Sequence, residues 1–151
     1  MAEPTHNHEM PGEITLNIPS HEPYLDLVHR VSMVIPESLG VDEGDADFIS
    51  NAVLEAVRNA MGHGHKFNPE IPVTVSYSRC KDQLCVKIID RGTGFDPDSV
   101  EDPTATENLM KTCGRGIFLM RSFMDSVEFE RTEDSTIVTL RKTISPTESG
   151  E

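Results

Sequence analysis

The order in which hydrophobic periodicity changes along this chain excludes most folds. Ile14, Leu16 and Ile18 alternate with polar residues, which reads as a strand ended by Pro19 and Ser20. Leu25, Val28, Val31, Ile35 and Leu39 then recur at helical spacing over 22–39, and Pro36 is expected to end or kink that helix near its C-terminal end. A second helix is predicted from about Glu43 to Met61, stopped by Gly62 and Gly64. Ile71, Val73, Val75 and Tyr77 alternate, and so do Leu84, Val86 and Ile88, which predicts a hairpin turned at Lys81-Asp82-Gln83. Residues 91–113 have almost no apolar periodicity, and a loop of that length is functional or disordered. Residues 115–124 predict a short third helix. Val127 and Phe129, then Ile137, Val138 and Leu140, predict a last hairpin turned near Glu133-Asp134. A doubly wound parallel sheet needs strands and helices to alternate, and these do not. The expectation is an α+β two-layer sandwich, with helices on one face of a mixed, mostly antiparallel sheet.

Length supports one domain: 151 residues are too few for two ordinary ones. The ordered part is expected at 13–143, between polar tails at 1–12 and 144–151 that lack periodicity. There are 13 basic and 26 acidic residues, a formal charge of −13. Such a surface repels phosphate backbones and anionic lipid, so nucleic acid and membrane are not expected partners, whereas a basic protein would be drawn to it. No apolar run approaches the roughly 20 residues that span a bilayer, and the start carries no hydrophobic signal region. Three cysteines without tight metal spacing fit a reduced cytoplasmic compartment and ordinary packing roles. His6, His8, His63 and His65 form no compact metal pattern and read as structural or solvated. The seven methionines read as gap-filling core.

On a helical wheel the second helix places Phe48, Ile49, Ala52, Val53, Ala56, Val57 and Ala60 on one broad core face. Asp47, Ser50 and Arg58 fall opposite, in water. Glu55 and Asn59 do not join them: Asn59 falls between Phe48 and Ala52, and Glu55 sits just outside that edge. An inward carboxylate without a partner costs several kcal/mol, so something should compensate it. A magnesium ion with phosphates would do so. Asn offers a neutral oxygen to a hard cation, and Glu can take a proton from an attacking hydroxyl. The competing reading is a surface-edge pair bonded to nearby backbone.

Two glycine signals follow. The strand ending Val86-Lys87-Ile88-Ile89 runs into Asp90-Arg91-Gly92-Thr93-Gly94-Phe95. An acid at a strand end can accept hydrogen bonds from a ligand amine such as that of adenine, and the glycines permit close backbone approach. An ordinary turn explains the same letters. Gly114-Arg115-Gly116 stands directly before the third helix, where free N–H groups and the dipole favour an anion and Arg115 adds a donor fork. A plain flexible helix start would look the same. No Gly-Lys-Ser/Thr follows, so this is not a P-loop. One nucleotide satisfies all of these signals in their order. The acidic loop (Asp96, Asp98, Glu101, Asp102, Glu107) then reads as a mobile lid, with Lys111 near its return.

Over residues 14–142 these motifs resemble the histidine-kinase-like ATPases, which share the Bergerat fold. Glu55-Ala-Val-Arg-Asn59-Ala60 with His63-Gly64 resembles that family's N box. Asp90-x-Gly92-x-Gly94-Phe95 and Gly114-Arg115-Gly116-Ile117 resemble its two glycine boxes, and Ser135-Thr136 sits where it usually has Gly-Thr. The chain's size and its Gly116-Ile117-Phe118-Leu119-Met120 and Met124-Asp125-Ser126-Val127 stretches are similar to the anti-sigma-factor serine kinases. The resemblance implies ATP and magnesium as ligands, with Glu55 activating a partner's serine and Asn59 binding the metal. It further implies Asp90 at the adenine amine and Gly92, Gly94, Gly114, Arg115 and Gly116 around the nucleotide. Thr136 would support the adenine pocket and His63 would line the phosphate side. Implied partners are a sigma factor and an anti-sigma-factor antagonist, with a homodimer through the first helix and strand. Phosphorylation does not follow from nucleotide binding alone. Two other readings therefore stand beside the kinase: a module that sequesters a partner without phosphoryl transfer, and a catalytic fragment that acts on a partner's histidine.

Overall fold

The computed structural model of the chain describes residues 10–91 and 115–144. Its elements follow the expected order: β1 (Ile14–Pro19), α1 (Leu25–Ser38) entered through a 3-10 turn at Glu22–Tyr24, α2 (Glu43–Asn59), β2 (Pro72–Cys80), β3 (Gln83–Asp90), α3 (Arg115–Phe123), β4 (Ser126–Arg131) and β5 (Thr136–Thr143). The strands form one sheet in the order β1-β2-β3-β5-β4, and every pairing among them is antiparallel. The parallel component of the expected mixed sheet is absent among the described strands.

Register divides the sheet into two chemically different faces. Val73, Val75 and Tyr77 of β2 alternate with Thr74, Ser76 and Ser78, and each apolar residue pairs with an apolar one on its neighbours: Ile18↔Val73, Val75↔Ile88, Tyr77↔Val86, Val86↔Leu140. This face meets the helices. It forms one core with Val28, Ile35, Ile49, Val53, Val57, Met61 and Met120, and Met10 and Ile144 also pack on it. Buried Met61, Met120 and Met124 fill that core, as their flexible side chains suggested. The other face is polar. Thr74 donates to Asn17 Oδ1 at 2.6 Å, Ser76 bonds to Glu13, and Arg141 pairs with Glu128 at 2.8 Å.

The helices end for identifiable reasons. Asp42 caps α2 by accepting from the Asp45 amide at 2.8 Å, an interaction worth about 1 kcal/mol. Pro36 does not end α1; the helix runs on to Ser38, and Gly40 at φ 88° closes it. The β2–β3 turn is tighter than predicted, because Cys80 pairs with Gln83 and Lys81 takes φ 57°. Gly62 and Gly64 do not stop α2 either. The chain continues through a π turn at Ala60–Gly64, and the reversal falls to Lys66 and Phe67 at φ 50° and 53°. Left-handed backbone costs such residues about 1–2 kcal/mol each. The Phe67 amide donates to Met61 O at 2.6 Å, and a Cβ on Gly62 would meet the Phe67 ring at 3.1 Å.

The wheel misplaces two residues of α2. Phe48, expected in the core, is 47% exposed and stacks on Phe123 of α3 with ring centroids 4.9 Å apart. Ser50, expected in water, is fully buried and donates to His29 O of α1 at 3.0 Å. The reason is that α2 is covered by α1 on one flank as well as by the sheet, which rotates its buried arc toward Ser50 and away from Phe48. A second polar pair links α1 to the sheet: Ser32 and Tyr77 bond at 2.7 Å, both without solvent exposure. Burial pushes the phenol up to about 12, against the opposing effect of Ser32. Tyr77→Phe or Ser32→Ala leaves one hydroxyl buried without its partner and should cost about 1–3 kcal/mol in urea unfolding. The double variant should lose clearly less than the sum; strictly additive losses would show that the two groups are not coupled.

Candidate functional site

The C-terminal turn of α2 presents Glu55 and Asn59 one turn apart. Both are half-buried, neither in the core nor in bulk water. The Glu55 side chain is 25% exposed, and its carboxylate is bonded to the Arg58 guanidinium at 2.6 Å. The charge expected to need a metal for compensation therefore already has a local partner. Asn59 is the last residue of α2, and the π turn begins immediately after it. That turn includes His63 and Gly64; nothing of their side chains is described.

The exit of β3 lies beside this turn. Asp90 is the last residue of β3 and pairs directly with Thr136, the first residue of β5. The two residues expected at the base end of a nucleotide are therefore cross-strand neighbours. Ser135, in place of the usual glycine, helps close the turn from β4. Its amide donates to Thr132 Oγ1 at 3.0 Å, its carbonyl accepts from the Thr132 amide at 2.8 Å, and the two hydroxyls bond at 2.8 Å.

One buried residue of the site escaped the sequence reading. His65, read as structural or solvated, is structural: it is 3% exposed and joins three segments, a set of partners that the sequence does not name. Its Nε2 lies 2.9 Å from the Arg91 amide, and its Nδ1 lies 2.9 Å from Ser20 Oγ, which donates to Ile71 O at 2.6 Å. The backbone amide of His65 donates to Ala60 O at 3.0 Å and closes the π turn. Because the Arg91 amide can only donate, Nε2 must carry a lone pair, and the ring is neutral with its proton on Nδ1. Desolvation lowers its pKa below the ordinary histidine value, with Asp90 opposing. No spacing rule points to Ser20 from position 65; only the fold brings them together.

α3 completes the arrangement. Arg115 and Gly116 are its first two residues. α3 packs along α2, and its last residue, Phe123, stacks on Phe48 near the start of α2. Gly92, Gly94, Gly114, the acidic stretch 96–107, Lys111 and Cys113 lie outside the described residues. Among the described residues no group of three or more His, Cys, Asp or Glu side chains could hold a metal by itself. A hard cation held here would take most of its ligands from phosphate and water, with Asn59 the expected neutral protein oxygen.

The chain is 28% identical over 135 residues to the serine-protein kinase RsbW of Listeria monocytogenes, covering 85% of this chain and 86% of that one. It is 36% identical over 94 residues to the anti-sigma F factor of Heyndrickxia coagulans, covering 60% and 64%. The crystal structure of the RsbU and RsbW domains of a Mycobacterium tuberculosis protein superposes with a TM-score of 0.64 at 16% identity, over 87% of this chain and 32% of that longer one. Residues 18–142 match the histidine kinase-like ATPase domain as a family, the one that the N-box and glycine-box motifs resemble. The chain belongs to the histidine kinase-like ATPase domain family.

Proposed function

We propose that this chain binds ATP with magnesium and acts as an anti-sigma factor and protein serine kinase. Its substrate would be an anti-sigma-factor antagonist, whose phosphorylation controls release of the sigma factor. The observation that carries the reading is the joining of two ends. The turn that follows Asn59 is hydrogen-bonded to the peptide that follows Asp90, and Asp90 faces Thr136 across the ladder. The end of α2 that carries Asn59 and the end of β3 that carries Asp90 are thereby tied together, which supports giving the metal to the amide and the base to the carboxylate. The curated relatives named as serine-protein kinase and anti-sigma factor support the same class.

Each residue then has a task. Magnesium ATP supplies the transferable phosphoryl group and, through the cation, neutralises phosphate charge. Asn59 gives the metal a neutral oxygen. Asp90 accepts hydrogen from the base's exocyclic amine, with Thr136 beside it. Gly92, Gly94, Gly114, Arg115 and Gly116 would wrap the nucleotide, with an anion favoured at the start of α3, and His63 would line the phosphate side. Glu55 would accept the proton of the partner's serine hydroxyl as that oxygen bonds the γ-phosphorus and the bond from that phosphorus to the departing ADP breaks. The acidic surface fits a basic partner, and the described helices include none long and apolar enough to cross a membrane; the proposed setting is the cytoplasm.

One observation favours the second reading, a module that sequesters its partner without transfer. Glu55 is already held by Arg58, so its carboxylate must leave or share that guanidinium to act as a base. Two measurements separate the readings. ATP with magnesium at about 100 times Kd should stabilise the protein by about 2.7 kcal/mol, and Asn59→Ala should remove the magnesium dependence. Glu55→Ala should keep that stabilisation yet lose about 100-fold or more of serine phosphorylation. Stabilisation by ATP with no transfer by the unaltered protein would leave the sequestering module.

Homodimerisation through α1 and β1 belongs to the same proposal. Tyr24, Leu27, Val31 and Val34 form an apolar stripe along the outer face of α1, with Val34 61% exposed. β1 is an edge strand whose outer side has no partner among the described strands. Val34→Glu should halve the mass seen by light scattering at micromolar concentration without lowering the helical circular dichroism. A mass that stays at one chain for the unaltered protein would remove the dimer.

A further inference from the structure

His65 does more than fill a hole under the sheet. β3 stops pairing at Asp90↔Thr136, so the next amide, that of Arg91, has left the ladder. His65 Nε2 takes that hydrogen at 2.9 Å. With the amide held, the plane of the Asp90–Arg91 peptide is held too, and with it the direction in which Asp90 projects. The ring cannot swing away. Its Nδ1–H is bonded to the hydroxyl of fully buried Ser20, which is itself anchored on Ile71 O at 2.6 Å. The backbone of His65 is fixed from the other side by Ala60 O, next to Asn59. One side chain thus sets the position of the carboxylate at the base end relative to the helix end that carries the amide for the metal.

We infer that His65 is a positioning residue for base recognition: it acts through the Arg91 amide to hold Asp90 where it reads the exocyclic amine of adenine. The inference rests on the nucleotide-binding reading and adds to it a determinant outside the N box and the glycine boxes. Its consequence is selective. Inosine triphosphate has the same sugar and phosphates as ATP but carries a carbonyl in place of the amine, so only contacts at the base edge separate the two. A histidine that merely supports the fold would weaken both nucleotides equally. A histidine that aims Asp90 controls their ratio. Gln is the conservative replacement, because its carboxamide oxygen can accept from Arg91 while its NH2 group donates toward Ser20.

The test is titration calorimetry of the full chain with magnesium ATP and magnesium ITP, for the unaltered protein and for H65A, H65Q and S20A. The unaltered protein should prefer ATP. H65A should lose about tenfold of ATP affinity, the size of one neutral hydrogen bond, with ITP changed little, so that the preference approaches one. H65Q should restore most of the preference. S20A, which frees the ring without removing it, should fall between them and serves if H65A does not fold. In the nucleotide-free protein, nitrogen NMR of the His65 ring should show the proton on Nδ1, and amide exchange at Arg91 should be protected and then accelerate in H65A. An unchanged ATP-to-ITP ratio in folded H65A or S20A overturns the positioning role while leaving nucleotide binding intact. Failure of the unaltered protein to bind ATP, or to prefer it over ITP, overturns the reading on which the inference rests.

Discussion

Close packing around α2 is the constraint on which the rest of the structure depends. Ala46, Ile49, Ser50, Ala52, Val53, Ala56 and Val57 are all buried, a helix covered by the sheet, by α1 and by α3 together. Alanines on so much of that surface let the helix axis come close to its neighbours, and interiors at crystal-like density leave such a helix little freedom to slide or rotate. Glu55 and Asn59 inherit that immobility. They stand at the rim of the buried arc, so the packing that excludes water from Ala56 and Val57 sets where a carboxylate and an amide emerge. Catalytic or binding geometry needs this kind of rigid support, because misplacement by about 1 Å can cost 100-fold.

Most of the architecture is legible in the order of periodicities. Alternation marks all five described strands, and helical spacing marks the three described α-helices. The misplaced residues share one cause. A wheel assumes that a helix has a single buried side, whereas α2 has neighbours on two, so Ser50 goes inward and Phe48 goes outward to meet Phe123. No local rule predicts that, since it depends on where α1 and α3 dock. Helix ends were misread for a related reason. Gly62 and Gly64 are strong stop letters, yet the tertiary need to bring the chain under β3 draws them into a π turn.

The candidate site divides in the same way. Asp90 and Thr136 were each legible as strand-end residues, but their pairing depends on β5 lying beside β3, which two separate hairpin signals do not give. The Glu55–Arg58 bond was missed because the wheel sent Arg58 to solvent, while the length of an arginine stem lets it reach back over one turn. Ser135 stands where the resembling family usually has glycine. In the structure its amide and hydroxyl close the β4–β5 turn with Thr132. That turn chemistry replaces what glycine would supply by conformational freedom, and it leaves Thr136 free to begin β5.

The π turn after Asn59 explains why a histidine at position 65 can reach the end of β3. In an α-helix continued past Asn59, the residue bonded to Ala60 O would be Gly64, which has no side chain to offer. Widening the turn moves that bond to the amide of His65 and brings an imidazole to the place a glycine would have held. The strain of the following left-handed pair, Lys66 and Phe67, accompanies this path, because the chain must reverse at once to enter β2. Strain persists only where surrounding contacts over-determine it. Here they do: the Phe67 amide on Met61 O, the Asn68 amide on His65 O and the imidazole between Ser20 and Arg91 all require the same reversal. The least regular segment of the described chain is therefore also the one that connects the two ends of the site.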